Sequence, residues 1–461
     1  MFGRVKHVHL VGVGGAGMSG IAEVLLNLGY IVSGSDLTSS QTTERLAGLG
    51  GRIKEGHDAA NIEGADVVVV STAVPPSNVE VRAARQAHIP VIPRVEMLAE
   101  LMRMKYSVAV GGSHGKTTTT SLISEVLSNG GLDPTVVVGG KLKTLETGAR
   151  LGASEYMVAE ADESDGSFLK LSPTVAVITT VDEEHLDHYS GLDEIKEAFV
   201  TFGNSVPFYG CSVLCIDERN IQSIVGDIER RVITYGLATQ ADVQATDLNL
   251  ELASPSFDVV AGGETLGRIE TTMPGLHNVY NSLAAVAVGL ELGVPFEHIR
   301  EALGSFEGIS RRFETKGEAN HVLVLDDYGH HPAEIRATLR AAARRWDRRL
   351  VVLFQPHRYS RTAKLADEFG RSFHDASVLL VTGIYAASEE PIEGVTGAGV
   401  VEAARRYGHH AAEYVEDGNE LLERALEIIK PGDVVITLGA GDIYQVGEKL
   451  LERLSTDGGR Q

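Results

Sequence analysis

Lys116 and Thr117 close a glycine-rich run, SVAVGGSHGKTTTTS, over residues 107–121. Gly111, Gly112 and Gly115 let the backbone bend tightly, and a lysine at the mouth of such a bend can reach between phosphate groups. The apolar residues 108–110 before it predict a buried strand, and Lys116-Thr117 predict a helix running to about Leu127. The first turn of a helix offers unpaired N–H groups and the positive end of the helix dipole. Gly111, Gly112, Ser113, His114, Gly115, Lys116, Thr117 and Thr118 therefore form a candidate phosphate cradle for ATP. The Thr117 hydroxyl is placed to ligate Mg²⁺. Val110 stands where the common loop has a glycine, so the segment is a shortened variant.

Carboxylates and histidines gather after two further apolar runs. Glu160, Asp162, Glu163 and Asp165 follow one; Asp182, Glu183, Glu184, His185, Asp187 and His188 follow the other. Most members of such clusters are solvated charge. Glu160 and His185 stand out because they lie nearest the strand ends expected to face the phosphate loop. Triphosphate chemistry calls for hard oxygen ligands to Mg²⁺, and Glu160 suits that role.

A second glycine loop lies near the start, where Gly12, Gly14 and Gly17 match G-x-G-x-x-G and Asp36 ends the next apolar run. Alone, the pattern suggests a dinucleotide site and a NAD-dependent oxidoreductase. Its physics is less specific, because glycines bring amides to any pyrophosphate. With an ATP loop further along, a nucleotide-sugar diphosphate is the better candidate. Gly12, Gly14, Gly15, Ala16, Gly17, Met18, Ser19, Asp36, Ser71 and Thr72 are its candidate contacts. Towards the C-terminus, Asp326, Asp327, Tyr328, His330 and His331 follow one apolar run, and His357, Arg358 and Arg361 another. The arginines and His357 make a plausible clamp for a carboxylate or phosphate.

Short β-branched runs ending in polar clusters, with helical stretches between most of them, are the grammar of parallel α/β sheets. The chain of 461 residues predicts three domains. These are residues 1–105, Rossmann-like, for the sugar nucleotide; 106–314, a P-loop-type ATPase domain; and 315–461, Rossmann-like again. Alternating segments between Cys211 and Thr272 predict an antiparallel excursion inside the central domain.

Hydrophobic residues make up 43% of the chain and charged ones 23%, leaving ample core. A net charge of −22 argues against nucleic acid or an anionic membrane as partner, so anionic substrates must be held by local cations. Cys211 and Cys215 are the only two cysteines and read as reduced thiols. No cleavable signal is evident, and no apolar run reaches the roughly 20 residues that span a bilayer, so a cytoplasmic protein is expected.

Taken together, GVGGAGMSG, GGSHGKTTTT, AEADESDGSF, VDEEHLDHY, PGLHNVYNSLAA, GISRRFE, DDYGHHPAE, FQPHRYSRT and GAGDIY resemble, in order and over nearly the whole chain, the motifs of the Mur ligase family. GVGGAGMSG with DDYGHHP and FQPHRYSRT points to the member that adds L-alanine to UDP-N-acetylmuramate. The resemblance implies Lys116 on the phosphates, Thr117 and Glu160 on one Mg²⁺, and His185 on a second. It implies Asn281 and Arg312 at the adenine nucleotide and Asp327 near the ribose. Tyr328, His330, His357, Arg358 and Arg361 would line the side where amino acid and sugar carboxylate meet. Relatives carry a carbamylated lysine beyond the histidine matched by His185; here that stretch reads EAFVTF, and Lys196 comes earlier.

The implied reaction is attack of the lactyl carboxylate on the γ-phosphate, then attack of the L-alanine amine on the acyl phosphate. His330 and His357 are the candidate general bases. Two other readings stay open: a murein-peptide ligase that attaches a peptide, and the oxidoreductase, which has no use for Lys116.

Overall fold

The computed structural model describes residues 3–71, 73–138, 149–185, 188–250, 254–387 and 389–457. Thr72 and Asp187 lie outside the described residues, and of Ala16 only the backbone is described. Three sheets of five, ten and six strands carry the α/β architecture. Two compact units result. The first takes in the first two sheets, Met1–Asn249 with Ser256–Thr272 and Asn278–Glu307; the second contains Gly308–Gln461 with Leu250–Pro255 and Met273–His277.

The five-stranded sheet is parallel. Its order is Arg52–Glu55, Ile31–Asp36, His7–Val11, Val67–Val70, Val91–Pro93. Strand order reverses between His7–Val11 and Val67–Val70, and ligands of open α/β sheets bind outside the carboxyl ends at such a point. The glycine loop and Ser71 follow those two strands directly.

Beneath the loop, the strands bury polar side chains where apolar ones are the norm. His7, His9, Ser33, Ser35 and Glu80 are all buried, with Glu80 at 0% exposure. Ser35 Oγ donates to Glu80 Oε2 at 2.5 Å, Asn61 Nδ2 donates to Oε1 at 2.6 Å, and His9 Nε2 lies 3.4 Å from Oε2. Burial alone would raise the pKa of Glu80, but hydrogen bonds from His9, Ser35 and Asn61 outweigh it and hold it at about 2. A depressed carboxylate stabilises the fold above its unfolded pKa and loses that contribution as pH falls through the folded value. Here the window runs from about 4.5 down to about 2. Glu80→Gln should therefore melt below wild type at neutral pH, with the gap narrowing below pH 4. Thermal unfolding of both proteins across pH checks it; a gap independent of pH would remove the charge from the account.

In the ten-stranded sheet, Tyr106–Gly111 lies between Tyr156–Glu160 and Val175–Ile178, all parallel. Val110 pairs with Glu160 and Gly111 with Ile178, so the three loops carrying the phosphate cradle and both acidic clusters emerge side by side. The antiparallel excursion is narrower than the sequence predicts. Cys211–Cys215 and Val232–Gly236 are parallel strands, and Val243–Asn249 also enters parallel. Only Ser256–Ala261 and Glu264–Glu270 return antiparallel. Residues 232–236 are intermediate to buried without alternation, so the sequence pattern there does not report strand direction. Burial raises the thiols of Cys211 and Cys215 to about 11 and about 12, which keeps them protonated and inert.

The six-stranded sheet is parallel except for its edge strand Glu314–Ala319. Leu350, Val352 and Phe354 enter the core on one face, Val351 and Leu353 the core on the other. That two-sided burial explains why the run reads as unbroken apolar residues. Asp327 and Phe354 both register with Leu438 on the central strand Val434–Leu438, which brings together the loops DDYGHHP, QPHRYSR and GAGDIY.

Candidate active site

The phosphate loop folds as the glycines require. Gly112 has φ +136° and Gly115 φ +80°. A Cβ on Gly112 would strike the Thr179 side chain, and one on Gly115 would come within 2.7 Å of Asn281 Oδ1. Asn281 accepts from Thr119 Oγ1 at 3.1 Å and so buttresses the loop. The amides of Ser113 and His114 donate to Thr180, at 2.9 Å and 2.8 Å. The cradle for an anion therefore begins at Gly115, where the helix Lys116–Asn129 starts. That helix is buried along most of its length; Thr120 and Ser121 satisfy their hydroxyls on the carbonyls of Lys116 and Thr117.

Lys116 Nζ donates to Glu163 Oε1 at 2.8 Å and to the carbonyl of Gly112 at 2.7 Å. Burial opposes its charge, but Glu163, Glu160 and Asp162 outweigh it and raise its pKa, so the ammonium is permanently charged. Thr117 Oγ1 donates to Glu160 Oε2 at 3.0 Å, joining the two residues expected to share a cation. His185, in the left-handed region at φ +53°, places Nε2 3.3 Å from Glu163 Oε1 and 3.6 Å from Glu184 Oε2. Ligand atoms of Glu163, Glu184 and His185 lie within 4.8 Å of one another. Glu163 Oε2 is buried and has no hydrogen-bond partner among the described residues. An orphaned carboxylate oxygen among acids suits a divalent cation, and mostly oxygen donors suit Mg²⁺. Glu163 and Glu184 were indistinguishable from their acidic neighbours in the sequence. Lys196 lies apart on the helix Leu192–Asn204.

A cavity of about 240 Å³ lies between the N-terminal glycine loop and the first acidic cluster. Gly15, Gly17, Met18 and Ser71 line one side, Glu160 and Asp162 the other, with Arg94 and the segment Val137-Val138 between. Arg94 opens the helix Arg94–Arg103 and lies 3.9 Å from Asp162. No sequence signal marked it, since its partners are remote in the chain. Asp36 accepts from the amides of Gly14 at 2.7 Å and of Leu37 at 2.8 Å. It shapes the loop that a ligand would meet. Gly12 takes φ +78°, and the Ser19 amide donates to the Gly15 carbonyl as the first bond of the helix that follows.

The second unit gathers the remaining candidates. Asp327 is buried and accepts from the amides of Phe313 at 2.7 Å and Gly329 at 2.8 Å, and from Thr338 Oγ1 at 3.1 Å. It organises the turns around Arg312 and Tyr328; Arg312 lies over the Tyr328 ring at 5.2 Å. Arg311, not singled out in the sequence, bonds Asp326 and the carbonyls of Gly439 and Gly441. Tyr328, His330 and His357 form a row, with ring centroids 5.6 Å and 5.3 Å apart. Arg361 Nη1 donates to His357 Nδ1 at 3.2 Å, which places the imidazole proton on Nε2. Burial, then the charges of His330, Arg361 and Arg358, lower the His357 pKa to about 3. Of the two candidate bases, His357 is thus a neutral donor. His330 Nδ1 donates to the Tyr328 carbonyl at 3.1 Å and lies 3.5 Å from Glu334 Oε2. Arg358 takes φ +72°, a strained setting for a side chain at a functional loop.

Comparison with known proteins covers the whole chain. The description "Mur ligase family, catalytic domain" matches residues 7–106, "Mur ligase middle domain" residues 110–289, and "Mur ligase, glutamate ligase domain" residues 311–441. A UDP-N-acetylmuramate–L-alanine ligase of Geotalea uraniireducens is 56% identical over 457 residues, 99% of this chain and 100% of that one. That of Trichlorobacter lovleyi is 57% identical over 456 residues, covering 98% and 100%. The crystal structure of a UDP-N-acetylmuramate-alanine ligase from Thermotoga maritima superposes with a TM-score of 0.81 at 28% identity, covering 98% and 99%. A murein peptide ligase from Psychrobacter arcticus shares the fold, with a TM-score of 0.72 at 24% identity and coverage of 98% and 99%.

Proposed function

The chain belongs to the Mur ligase family, and from that premise we propose that it joins L-alanine to the lactyl carboxylate of UDP-N-acetylmuramate, using ATP, in peptidoglycan precursor synthesis. The observation that carries this reading is the cavity shared by Gly15, Gly17 and Ser71 with Glu160 and Asp162. A sugar nucleotide with its diphosphate at the glycine loop would extend its far end towards the phosphate-transfer residues. An oxidoreductase would have no reason to join those two loops.

In this reading Lys116 and the first amides of its helix bind and orient the triphosphate, and the lactyl carboxylate attacks the γ-phosphate to give an acyl phosphate. Little covalent work falls to the protein; positioning and charge neutralisation carry phosphoryl transfer. Thr117 and Glu160 would hold one Mg²⁺ and His185, Glu163 and Glu184 a second, whose charge when bound offsets that of the phosphates. Asn281, Arg312 and Asp327 belong to the nucleotide side. Arg358 and Arg361 would grip carboxylates, and His330 would take the proton of the L-alanine amine before it attacks the acyl phosphate. Among the described residues no helix is long and apolar enough to cross a membrane, and dependence on ATP and a sugar nucleotide supports a cytoplasmic location as part of this reading.

The direct test is phosphate release with ATP and UDP-N-acetylmuramate against a panel of amino acids and a tripeptide. L-Alanine should give the highest kcat/KM; preference for the tripeptide would make the chain a murein-peptide ligase instead. Glu160→Ala and His185→Ala should each raise the Mg²⁺ concentration for half-maximal activity, by roughly tenfold or more when a ligand is lost. Unchanged Mg²⁺ titrations in both would place the metal elsewhere.

A further inference from the structure

The motif GAGDIY and the segment TGIYAASEEP take no part in the chemistry above, yet both touch its amino-acid side. Tyr385 lies parallel to the His357 ring, with centroids 5.6 Å apart and planes 9° from parallel. The backbones are tied as well: His357 and Tyr385 form a bridge, Tyr385 N–H donates to Pro356 O at 2.9 Å, and Arg358 N–H donates to Tyr385 O at 2.8 Å. On its other side the Tyr385 ring meets Gly441. A Cβ there would come within 2.7 Å of two ring atoms and would strike Gln355 Oε1. Gly441 is itself fixed, its carbonyl accepting from Arg311 Nη1 at 2.9 Å, while Gln355 Nε2 donates to Asp442 at 2.8 Å. From the same segment, Glu389 accepts from the Ser360 hydroxyl at 2.6 Å and amide at 3.0 Å, and lies 3.9 Å from Arg358.

We propose that Tyr385 is a positioning residue for the amino acid, and that Gly441 is a glycine so that Tyr385 can lie flat against His357. The inference rests on the reading that His330, His357, Arg358 and Arg361 receive L-alanine. Tyr385 covers one face of the His357 ring while Arg361 holds its Nδ1, so the donor at Nε2 and the guanidinium keep a fixed mutual geometry. A ring held at one face and one nitrogen loses little further freedom when the amino acid arrives. Without Tyr385, His357 can turn about its side-chain bonds and Arg361 loses a defined partner. The argument uses the ring of Tyr385 and not its hydroxyl.

Steady-state kinetics with each substrate varied in turn test the proposal. Tyr385→Ala should raise the KM for L-alanine about tenfold, with KM values for ATP and UDP-N-acetylmuramate within twofold of wild type; Tyr385→Phe should restore most of the loss. Tyr385 is 40% exposed, so the alanine variant should fold. Gly441→Ala, whose Cβ would meet the Tyr385 ring, should raise the KM for L-alanine in the same direction. Arg361→Ala serves as the control. If Arg361→Ala raises the KM for L-alanine and Tyr385→Ala does not, the positioning role is overturned while the amino-acid site stands. If Arg361→Ala leaves that KM unchanged, the amino-acid site itself is misassigned, and the proposal falls with it.

Discussion

Lys116→Ala should lower ligation by on the order of 10²-fold or more, the loss typical when a preorganised charge is removed from a transition state. The ammonium is held at the cradle by Glu163 and the carbonyl of Gly112, and the surrounding acids keep it charged. Its removal leaves a further mark. Glu163, with a side chain 2% exposed, would be left buried without its nearest cation. Lys116→Ala should therefore also melt lower than wild type, whereas Lys116→Ala/Glu163→Gln should regain stability without regaining activity. Phosphate release and thermal unfolding on the three proteins separate the two effects. Near-normal turnover in Lys116→Ala would sink the assignment of the ATP site.

Gly17→Val should raise the KM for UDP-N-acetylmuramate far more than that for ATP. A Cβ at Gly17 would lie 2.7 Å from Arg94 Nη1 and 3.2 Å from Cζ, so a valine must displace the guanidinium that lines the cavity. The guanidinium is the flexible end of its side chain and can give way, so the loss falls on the pocket it lines; a rise in KM of about tenfold corresponds to roughly 1.4 kcal/mol of binding free energy. ATP, assigned in this reading to the other loop, should bind within twofold of wild type. A larger effect on ATP than on the sugar nucleotide, or measurable binding of NAD by wild type, would return the glycine loop to the oxidoreductase reading.

Much of this protein is decided locally, and the sequence shows it. A β-branched run followed by glycines and a lysine has one low-energy reading, strand, tight turn and helix N-terminus, because glycine alone takes φ values such as those of Gly112 and Gly115 without strain. The same local rule marks the glycine loop after His7–Val11 and the polar loops after Val322–Asp327 and Leu350–Phe354. Alternation misled where it was asked for strand direction: residues 232–236 read as alternating in sequence, yet pair in parallel and are not alternately buried. Glu160 was a candidate because it ends the strand Tyr156–Glu160, and His185 because it stands in the loop after Val175–Ile178. Glu163 was not, since nothing within AEADESDGS tells the acid that meets Lys116 from those that face water.

What tertiary structure alone decided is which loop ends lie side by side. Strand order and register bring Glu160 beside Val110, and Asp327 and Phe354 beside Leu438, over separations that no local pattern encodes. Arg94 meets Gly17 and Asp162 only because helix Arg94–Arg103 starts at the cavity. The protonation of His357 likewise depends on burial and on His330 from another strand end, in addition to Arg361 and Arg358 of its own segment. Local sequence sets the backbone conformation and the type of group each strand end carries. Distance, burial and hydrogen bonding between those groups depend on long-range packing, so the chemistry available was written in the sequence and its arrangement in the fold.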